Sequence, residues 1–425
     1  MLIKDPSRFG LIVVIGMLLP CKAVEAQEKV RRVSLEEALE LFAANNLELR
    51  VSRADAAETA GLARQARSYP NPVAAAEHES LSNGADLRDT ESYLTLSQQI
   101  DWPWRYARRR VAGSRIAEAA YAQQQADSIR FAFEVKRAFV EAGLVERTHQ
   151  VVSDVAEVFR KAERDGAARY GEGDVSGYEL RRIRVERVGY EMELRQATIE
   201  LAQSRRHLAA LLVPDSADLL VAPIWPPANT PPSVSPSDFV ARALSRRAEI
   251  TAAELSVQAA DATTSLARSA ALPDPTLVVG YKRISGGLHG GIVGLEIPLP
   301  LLDRKGGDAD AASARLDAAE SRRSTVRREV ENDVRTSVEA YASLTRVDRL
   351  IADTLLAGSA DILDIALAAY SEGEMTLLEL LDAAGAFRDA QTAAAHLIAE
   401  LWIAYYDLER ATGGPLPAES REEDL

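Results

Sequence analysis

The chain has 425 residues, of which 47% are hydrophobic, 27% are charged and 6% are aromatic, and its formal net charge is −14. This length suggests two to four domains or one repetitive architecture. The apolar content excludes a disordered chain, and the acidic balance argues against a nucleic-acid partner. A single cysteine excludes both a disulfide framework and a cysteine zinc site.

Residues 1–26 have the pattern of a secretory signal peptide. Lys4 and Arg8 supply the charged start, an apolar run follows, and small residues precede an expected cleavage after Ala26. The apolar run is too short to cross a bilayer, and no later run approaches the ~20 apolar residues that a spanning helix needs. Cys21 leaves lipid attachment open as an alternative, although a proline precedes it. We therefore expect an exported protein.

The segment 72–101 is predicted to form a β-hairpin. Residues 93–97 alternate polar and apolar side chains, residues 73–79 form a weaker counterpart, and a turn-rich segment at 82–86 joins the two. Strands of about 8–10 residues match the length that a tilted strand needs to cross a membrane. Hairpins at the edge of a soluble sheet have the same pattern, so this feature alone leaves both environments open.

A very long helix is predicted after this hairpin. Between Trp104 and Val213 the sequence has no proline and is rich in Ala, Glu, Arg, Leu and Gln, which are good helix formers. A helix over residues 105–169 would be roughly 95–100 Å long. Such a length, with many alanines on the apolar face, predicts a coiled-coil-like assembly with a thin core. Trp102 and Trp104 at its start are expected either to form an interfacial belt or to pack at the junction.

Proline placement also divides the chain. A proline-rich segment at 213–236 cannot be helical throughout and is predicted to be a linker. It separates a first structural repeat at 27–212 from a second repeat at 237–412. The second repeat contains its own predicted hairpin at about 275–299. Residues 413–425 are expected to form a C-terminal tail.

The two halves align with each other at a shift of about 200 residues, which indicates an internal duplication. Pro70-Asn71-Pro72 aligns with Pro273-Asp274-Pro275, and residues 170–176 (YGEGDVS) align with residues 370–376 (YSEGEMT). Each half is predicted to contain a helix, a hairpin, a very long helix, a tight glycine turn and a returning helix. One chain supplies four strands, which cannot close a barrel. Three chains would supply twelve strands, and oligomerisation is required if the hairpins enter lipid.

Both glycine turns have the same predicted chemistry. Gly173 and Gly373 allow the positive φ of a tight reversal. Ser176 and Thr376 follow, each with a glutamate three residues later, which is the spacing of a capping box.

The whole chain after the expected signal peptide resembles the TolC-type outer-membrane efflux factors. Pro70-Asn71-Pro72, residues 297–304 (IPLPLLDR) and residues 370–376 carry the resemblance, and residues 102–105 (WPWR) are most similar to the cobalt–zinc–cadmium (heavy-metal RND) branch. The resemblance implies a mainly α fold with a small β part: a duplicated long-helix α-barrel plus four membrane strands per chain. It also implies a homotrimer that completes a twelve-stranded β-barrel.

The function implied by the resemblance is a passive exit duct in the outer membrane of a Gram-negative bacterium, with the helical part in the periplasm. Its implied partners are a periplasmic adaptor (membrane fusion protein) and an inner-membrane RND pump, and the expected cargo is heavy-metal cations or small toxic compounds. A type I protein secretion duct and a non-channel periplasmic coiled-coil adaptor remain as alternatives. We expect no enzyme and no cofactor, because the sequence has no phosphate loop and no Gly-x-Ser-x-Gly or HExxH motif. The five histidines lack metal-site spacing, so no metal site is expected either.

The resemblance further assigns a periplasmic gate near the glycine turns. The family's gate tyrosine corresponds to Tyr370 and its acidic partner to Glu179. The position of a gate arginine in well-known members is occupied by Met375. Either packing of Met375 or a bond from Arg181 or Arg182 would therefore have to replace the missing salt bridge.

Two acidic rings of the family correspond to Glu379 and Asp382, which are spaced i, i+3 and so lie on one helical face. Three copies around a narrow lumen would favour cations, and their repulsion should raise the pKa values of both carboxyl groups. The alternative is that both residues are ordinary solvated positions. The adaptor is expected to meet the exposed turns, which comprise Glu172, Gly173, Asp174, Glu372, Gly373 and Glu374.

Overall fold

The computed structural model describes residues 29–82, 88–214, 219–225, 239–359 and 361–416. The predicted signal peptide and most of the predicted tail lie outside the described residues. In the first half the elements are β1 (Lys29–Val33), α1 (Leu35–Asn45), α2 (Leu47–Ala66), β2 (Val73–Ser82), β3 (Arg88–Gln99), α3 (Pro103–Glu172), α4 (Gly177–Leu212) and β4 (Leu219–Pro223). In the second half they are α5 (Phe239–Arg246), α6 (Ala248–Ser269), β5 (Thr276–Ile284), β6 (His289–Glu296), α7 (Gly306–Ser359), α8 (Ile362–Glu372) and α9 (Leu377–Ala411).

The two predicted hairpins form one antiparallel sheet with the strand order β2-β3-β5-β6. Strands β3 and β5 pair from Gln99↔Thr276 to Glu91↔Ile284, so the two repeats share the centre of the sheet. Each of the outer strands, β2 and β6, pairs on one side within the described part of the chain. The sheet is therefore open at both edges, one contributed by each repeat.

Strand alternation gives this sheet one strongly apolar face. Leu96 lies opposite Val279, and Val279 lies opposite Val293, so the three side chains form a row across β3, β5 and β6. All three are exposed, and Val293 reaches 81% exposure. On the other face Tyr93 lies opposite Lys282, a pairing that places polar groups there.

The long helix α3 exceeds its predicted bounds at both ends. It has 70 residues, beginning with Pro103 at its first position and ending before Gly173. Proline is favoured at a helix start because the N–H that it lacks has no partner there. The core along α3 is thin, as the composition predicted: Ala138, Ala142 and Gly143 are among its buried residues.

The second long helix is divided, which the duplication did not predict. Helix α7 ends at Ser359 and α8 begins at Ile362. The stretch Thr354–Glu372 across this break is long and apolar enough to cross a membrane, contrary to the expectation that no later stretch would be. Leu363, Ala366 and Tyr370 of this stretch are buried in a protein core, whereas Ile365 is 63% exposed.

A short parallel sheet was also missed. Strand β4 lies inside the predicted linker and pairs with β1, with Arg31 opposite Val221. The linker prediction was too simple because the run 219–222 is apolar and buries Val221 and Ala222 completely. Residues 215–218 and 226–236 of that linker lie outside the described residues.

Ionic and hydrogen-bonding contacts join the sheet to the long helices. Trp102 donates a hydrogen bond from Nε1 to the carbonyl oxygen of Pro273 at 3.0 Å, which supports the packing alternative for this residue. Arg105 pairs with Asp274 at 2.7 Å, and both side chains are largely buried. Arg109 pairs with Asp101, whose side chain is buried. The Trp102–Pro273 and Arg105–Asp274 contacts connect the two repeats at the base of the sheet, whereas the Arg109–Asp101 pair lies within the first repeat.

Candidate gate at the helical tip

Two helix reversals form the end of the molecule opposite the sheet. Helix α3 turns into α4 at Gly173 (φ 91°), and α8 turns into α9 at Gly373 (φ 81°). Both glycines therefore adopt the left-handed conformation that the sequence predicted. The hydroxyl of Ser176 accepts a hydrogen bond from the N–H of Glu179, and the hydroxyl of Thr376 accepts one from the N–H of Glu379. The six residues proposed for adaptor docking all lie exposed on these two turns.

Tyr370 is the centre of the tip. Its side chain is completely buried among apolar residues of α3, α4 and α9, including Phe159, Ile183 and Leu380. Its hydroxyl lies 3.4 Å from Oε1 of Glu179 and donates to this carboxylate. Burial, reinforced by the charge of Glu179, raises the pKa of Tyr370 to about 12, so the hydroxyl remains a donor at neutral pH. The structure thus brings together the predicted gate pair.

The backbone of Tyr370 is bound by a residue that the sequence reading missed. Arg169, near the end of α3, donates from Nη1 to the carbonyl oxygen of Tyr370 at 2.8 Å. The guanidinium carbon of Arg169 lies 5.5 Å from the centre of the Tyr370 ring. One turn earlier on α3, Asp165 accepts a hydrogen bond from the hydroxyl of Ser371 at 2.7 Å. Two contacts therefore connect the end of α3 to the end of α8.

The two predicted replacements for the missing gate arginine have different outcomes. Met375 is half-buried and packs against the apolar cluster around Tyr370, as one alternative expected. Arg182 instead lies 3.9 Å from Glu186 on its own helix, and Arg181 is exposed. The arginine that bonds to the backbone of Tyr370 comes from α3, and not from α4 as the other alternative proposed.

A signal for the α3 residues was present in the duplication. The positions that correspond to Asp165 and Arg169 in the second repeat are Ile365 and Ala369. The two repeats therefore differ in residue type at the two α3 positions that contact α8.

Glu379 and Asp382 lie exposed on the first two turns of α9. Glu379 completes a capping box, in which its Oε2 accepts from the N–H of Thr376 at 2.7 Å and from the hydroxyl of Thr376 at 2.8 Å. In the single chain these bonds hold the pKa of Glu379 below its usual value. The rise in pKa expected for Glu379 and Asp382 depends on repulsion among three copies of each carboxylate, and it stays a prediction.

The exposed face that carries these two carboxylates continues along α9. Exposed residues recur at alternating spacings of three and four, which places them on one stripe of the helix. We call this the α9 stripe: Glu379, Asp382, Ala386, Asp389, Ala393, His396 and Glu400. Among the described residues, no three His, Cys, Asp or Glu side chains lie close enough to form a metal cage. The α9 stripe therefore presents separate charges along the helix.

Comparison with known proteins agrees with this architecture. Residues 239–414 match the sequence model of the family described as outer membrane efflux protein. The cobalt-zinc-cadmium resistance protein CzcC of Cupriavidus metallidurans is 22% identical over 388 residues, which cover 91% of this chain and 91% of the relative.

Solved structures show the same fold at low identity. The CmeC outer membrane channel of Campylobacter jejuni has a TM-score of 0.76 at 17% identity, over 91% of this chain and 87% of that chain. The outer membrane protein VceC of Vibrio cholerae has a TM-score of 0.69 at 22% identity, over 89% of this chain and 96% of that chain. The second repeat therefore matches the outer membrane efflux protein family in sequence, and about nine tenths of the chain shares the fold of these solved outer-membrane proteins.

Proposed function

We propose that three copies of this chain form an exit duct through the outer membrane, with the sheets pooled into a twelve-stranded barrel and the helices in the periplasm. The observation that carries this proposal is the four-stranded sheet with two open edges and one exposed apolar face. Backbone groups at an open edge have no partner in lipid, so a sheet that enters a bilayer must close. Edge β6 of one copy pairing with edge β2 of the next closes the sheet.

The two faces of the sheet then have distinct environments. The row Leu96, Val279 and Val293 faces lipid, where apolar side chains are favoured. The opposite face, with Tyr93 and Lys282, lines the lumen. A water-soluble coiled-coil adaptor would have no use for a sheet whose large apolar side chains are exposed, so this feature disfavours that alternative.

The helical tip is the proposed periplasmic entrance. The exposed turns around Gly173 and Gly373 are where a periplasmic adaptor would dock, and an RND pump would deliver cargo through it. The α9 stripe faces the lumen in this proposal, so that three copies of each acidic side chain favour cations. Heavy-metal cations are the proposed cargo, which agrees with the similarity to a cobalt-zinc-cadmium resistance protein.

Conductance of the purified protein in a planar bilayer tests the duct and its selectivity together. We expect a cation-selective channel that divalent cations block. In the double variant Glu379→Ala/Asp382→Ala both properties should weaken, because six negative charges leave the narrowest part of the proposed trimer. Conductance of the wild type without cation preference or divalent block would contradict the assignment of the α9 stripe to the lumen.

A matched control is available on α2. Asp55 and Glu58 are exposed and have the same i, i+3 spacing as Glu379 and Asp382. The variant Asp55→Ala/Glu58→Ala removes the same charge from a helix far from the tip in sequence and should retain the block. Equal loss of block in both double variants would show that net charge, not the position of the carboxylates, sets the selectivity.

A further inference from the structure

The last two turns of α3 contact the last turn of α8 through polar groups. Arg169 donates to the carbonyl oxygen of Tyr370, and Asp165 accepts from the hydroxyl of Ser371. Both α3 side chains are half-buried, and their spacing of four residues places them on the same side of the helix. The contact is intrachain, and it joins the first repeat to the hairpin α8–α9 of the second.

Arg169 places its positive charge at the C-terminal end of α8, where a cation is favoured. Carbonyl groups in the last turn of α8 lack partners within that helix and carry the negative end of its dipole. The carbonyl oxygen of Tyr370 also accepts from the N–H of Gly373 at 3.1 Å. A guanidinium group adds a second, charge-assisted donor to the same oxygen and stacks near the tyrosine ring. This contact therefore fixes the residue whose hydroxyl meets Glu179.

The contact is specific to one of the two hairpins. Tyr170, the counterpart of Tyr370, is 51% exposed, whereas Tyr370 is completely buried. Ser371 corresponds to Gly171, which has no hydroxyl, and Arg169 corresponds to Ala369. The side chains that make the contact are thus residues at which the repeats differ: Arg169 donates to α8, and Ser371 donates back to Asp165 on α3.

We propose that Arg169 and Asp165 are positioning residues that hold the hairpin α8–α9 against α3, and that this arrangement is the closed entrance. Met375 carries no charge and so makes no ion pair that could hold the hairpin in this chain. We call this pair of contacts the α3 clasp. The proposal deepens the exit-duct function and rests on it. Opening the entrance by moving α8–α9 away from α3 breaks both bonds, so the clasp sets how often the entrance opens.

The first test is the open probability of single channels in a planar bilayer. For Arg169→Ala we expect a rise of about 1,000-fold or more in the ratio of open to closed channels if the three tips open together, because each copy loses a charge-assisted hydrogen bond. Arg169→Lys retains one charged donor and should show a smaller rise. The control is Arg164→Ala, because Arg164 lies on the same helix, is exposed, and has its carboxylate neighbour Glu157 only at 3.9 Å. It should behave as the wild type.

A second measurement reports the tip without requiring conduction. Spin labels at Asp174→Cys and Glu374→Cys, on the two exposed turns, give the distance between the hairpins of one chain when labelled protein is diluted into unlabelled protein. We expect a longer and broader distance in Arg169→Ala than in the Arg164→Ala background. Cys21 is the single native cysteine of the sequence, so it must be replaced if it remains in the purified protein.

A covalent clasp gives the opposite perturbation. In Asp165→Cys/Ser371→Cys a short thiol-to-thiol cross-linker should lower the open probability, and a cross-linker cleavable by reductant should allow recovery. Unchanged distances and unchanged open probability in Arg169→Ala would overturn the proposal, as would free opening of the cross-linked channel. A wild type that conducts nothing would refute the duct instead, while the spin-label distances would still decide on the clasp.

Discussion

Replacing Tyr370 by phenylalanine isolates the hydrogen bond at the centre of the tip. The ring stays in place, so the apolar cluster keeps its packing, and only the hydroxyl contact with Glu179 at 3.4 Å is lost. The distance is at the long end for a hydrogen bond, which places its contribution near the lower limit, about 1 kcal/mol. The carboxylate of Glu179 is half-buried, so water can hydrogen-bond to it in the variant. The free-energy change therefore includes no penalty for a buried unpaired charge.

The effect multiplies in the proposed trimer. If the three tips open together, the closed state loses about 3 kcal/mol, which corresponds to roughly a 100-fold rise in the ratio of open to closed channels. Single-channel recording of Tyr370→Phe measures this ratio directly. Tyr170→Phe is the matched control, because this counterpart in the first repeat is 51% exposed and its hydroxyl is available to water.

The partner residue gives a further check on the same reasoning. Glu179→Gln weakens the acceptor, and adding Tyr370→Phe to it should change the open probability little, because both changes remove one interaction. Additive effects of the two substitutions would show that they act independently. If Tyr370→Phe leaves the conductance of the tip unchanged, Tyr370 is not a gate residue.

Three other predictions follow from packing, strand orientation and capping. In Gly166→Ala the new Cβ would lie 2.9 Å from a side chain of α4 and 3.3 Å from the Tyr370 hydroxyl, so we expect a loss of about 1–3 kcal/mol in stability and a lower melting temperature. Val293→Lys on the apolar face should impair assembly by about 2–4 kcal/mol if the side chain lies near the bilayer midplane, measured as the trimer fraction; Thr95→Lys on the opposite face should assemble normally. Thr376→Ala removes a capping box and should cost about 1 kcal/mol in thermal unfolding, and an unchanged melting temperature would contradict this estimate.

Much of the fold could be predicted because its signals are local. The absence of proline after Pro103 predicts α3, and alternation over residues 93–97 predicts β3. The glycine turns were predicted from Gly173 and Gly373, whose positive φ values depend on residue type more than on tertiary context.

The features that sequence reasoning missed depend on contacts between distant segments. Strand β1 is five residues long, KVRRV, and has no strong alternation; its pairing is fixed by β4, far along the chain. The break between α7 and α8 has no proline to mark it. At the candidate gate, Tyr370 and Glu179 were available from family resemblance, whereas Arg169 required knowledge of which helix lies beside α8.

The parallel pairing of β1 with β4 has a consequence for the order of folding. Strand β1 lies at the start of the first repeat and β4 follows its end, so the two strands bracket a long segment that contains the first hairpin and α3. This pairing forms only when the two ends of a long segment come together, and the loss of chain entropy in that closure makes the step slow. Val33 is completely buried in the folded protein. It cannot pack against Val221, a member of the same apolar cluster, until β4 has been synthesised and lies beside β1.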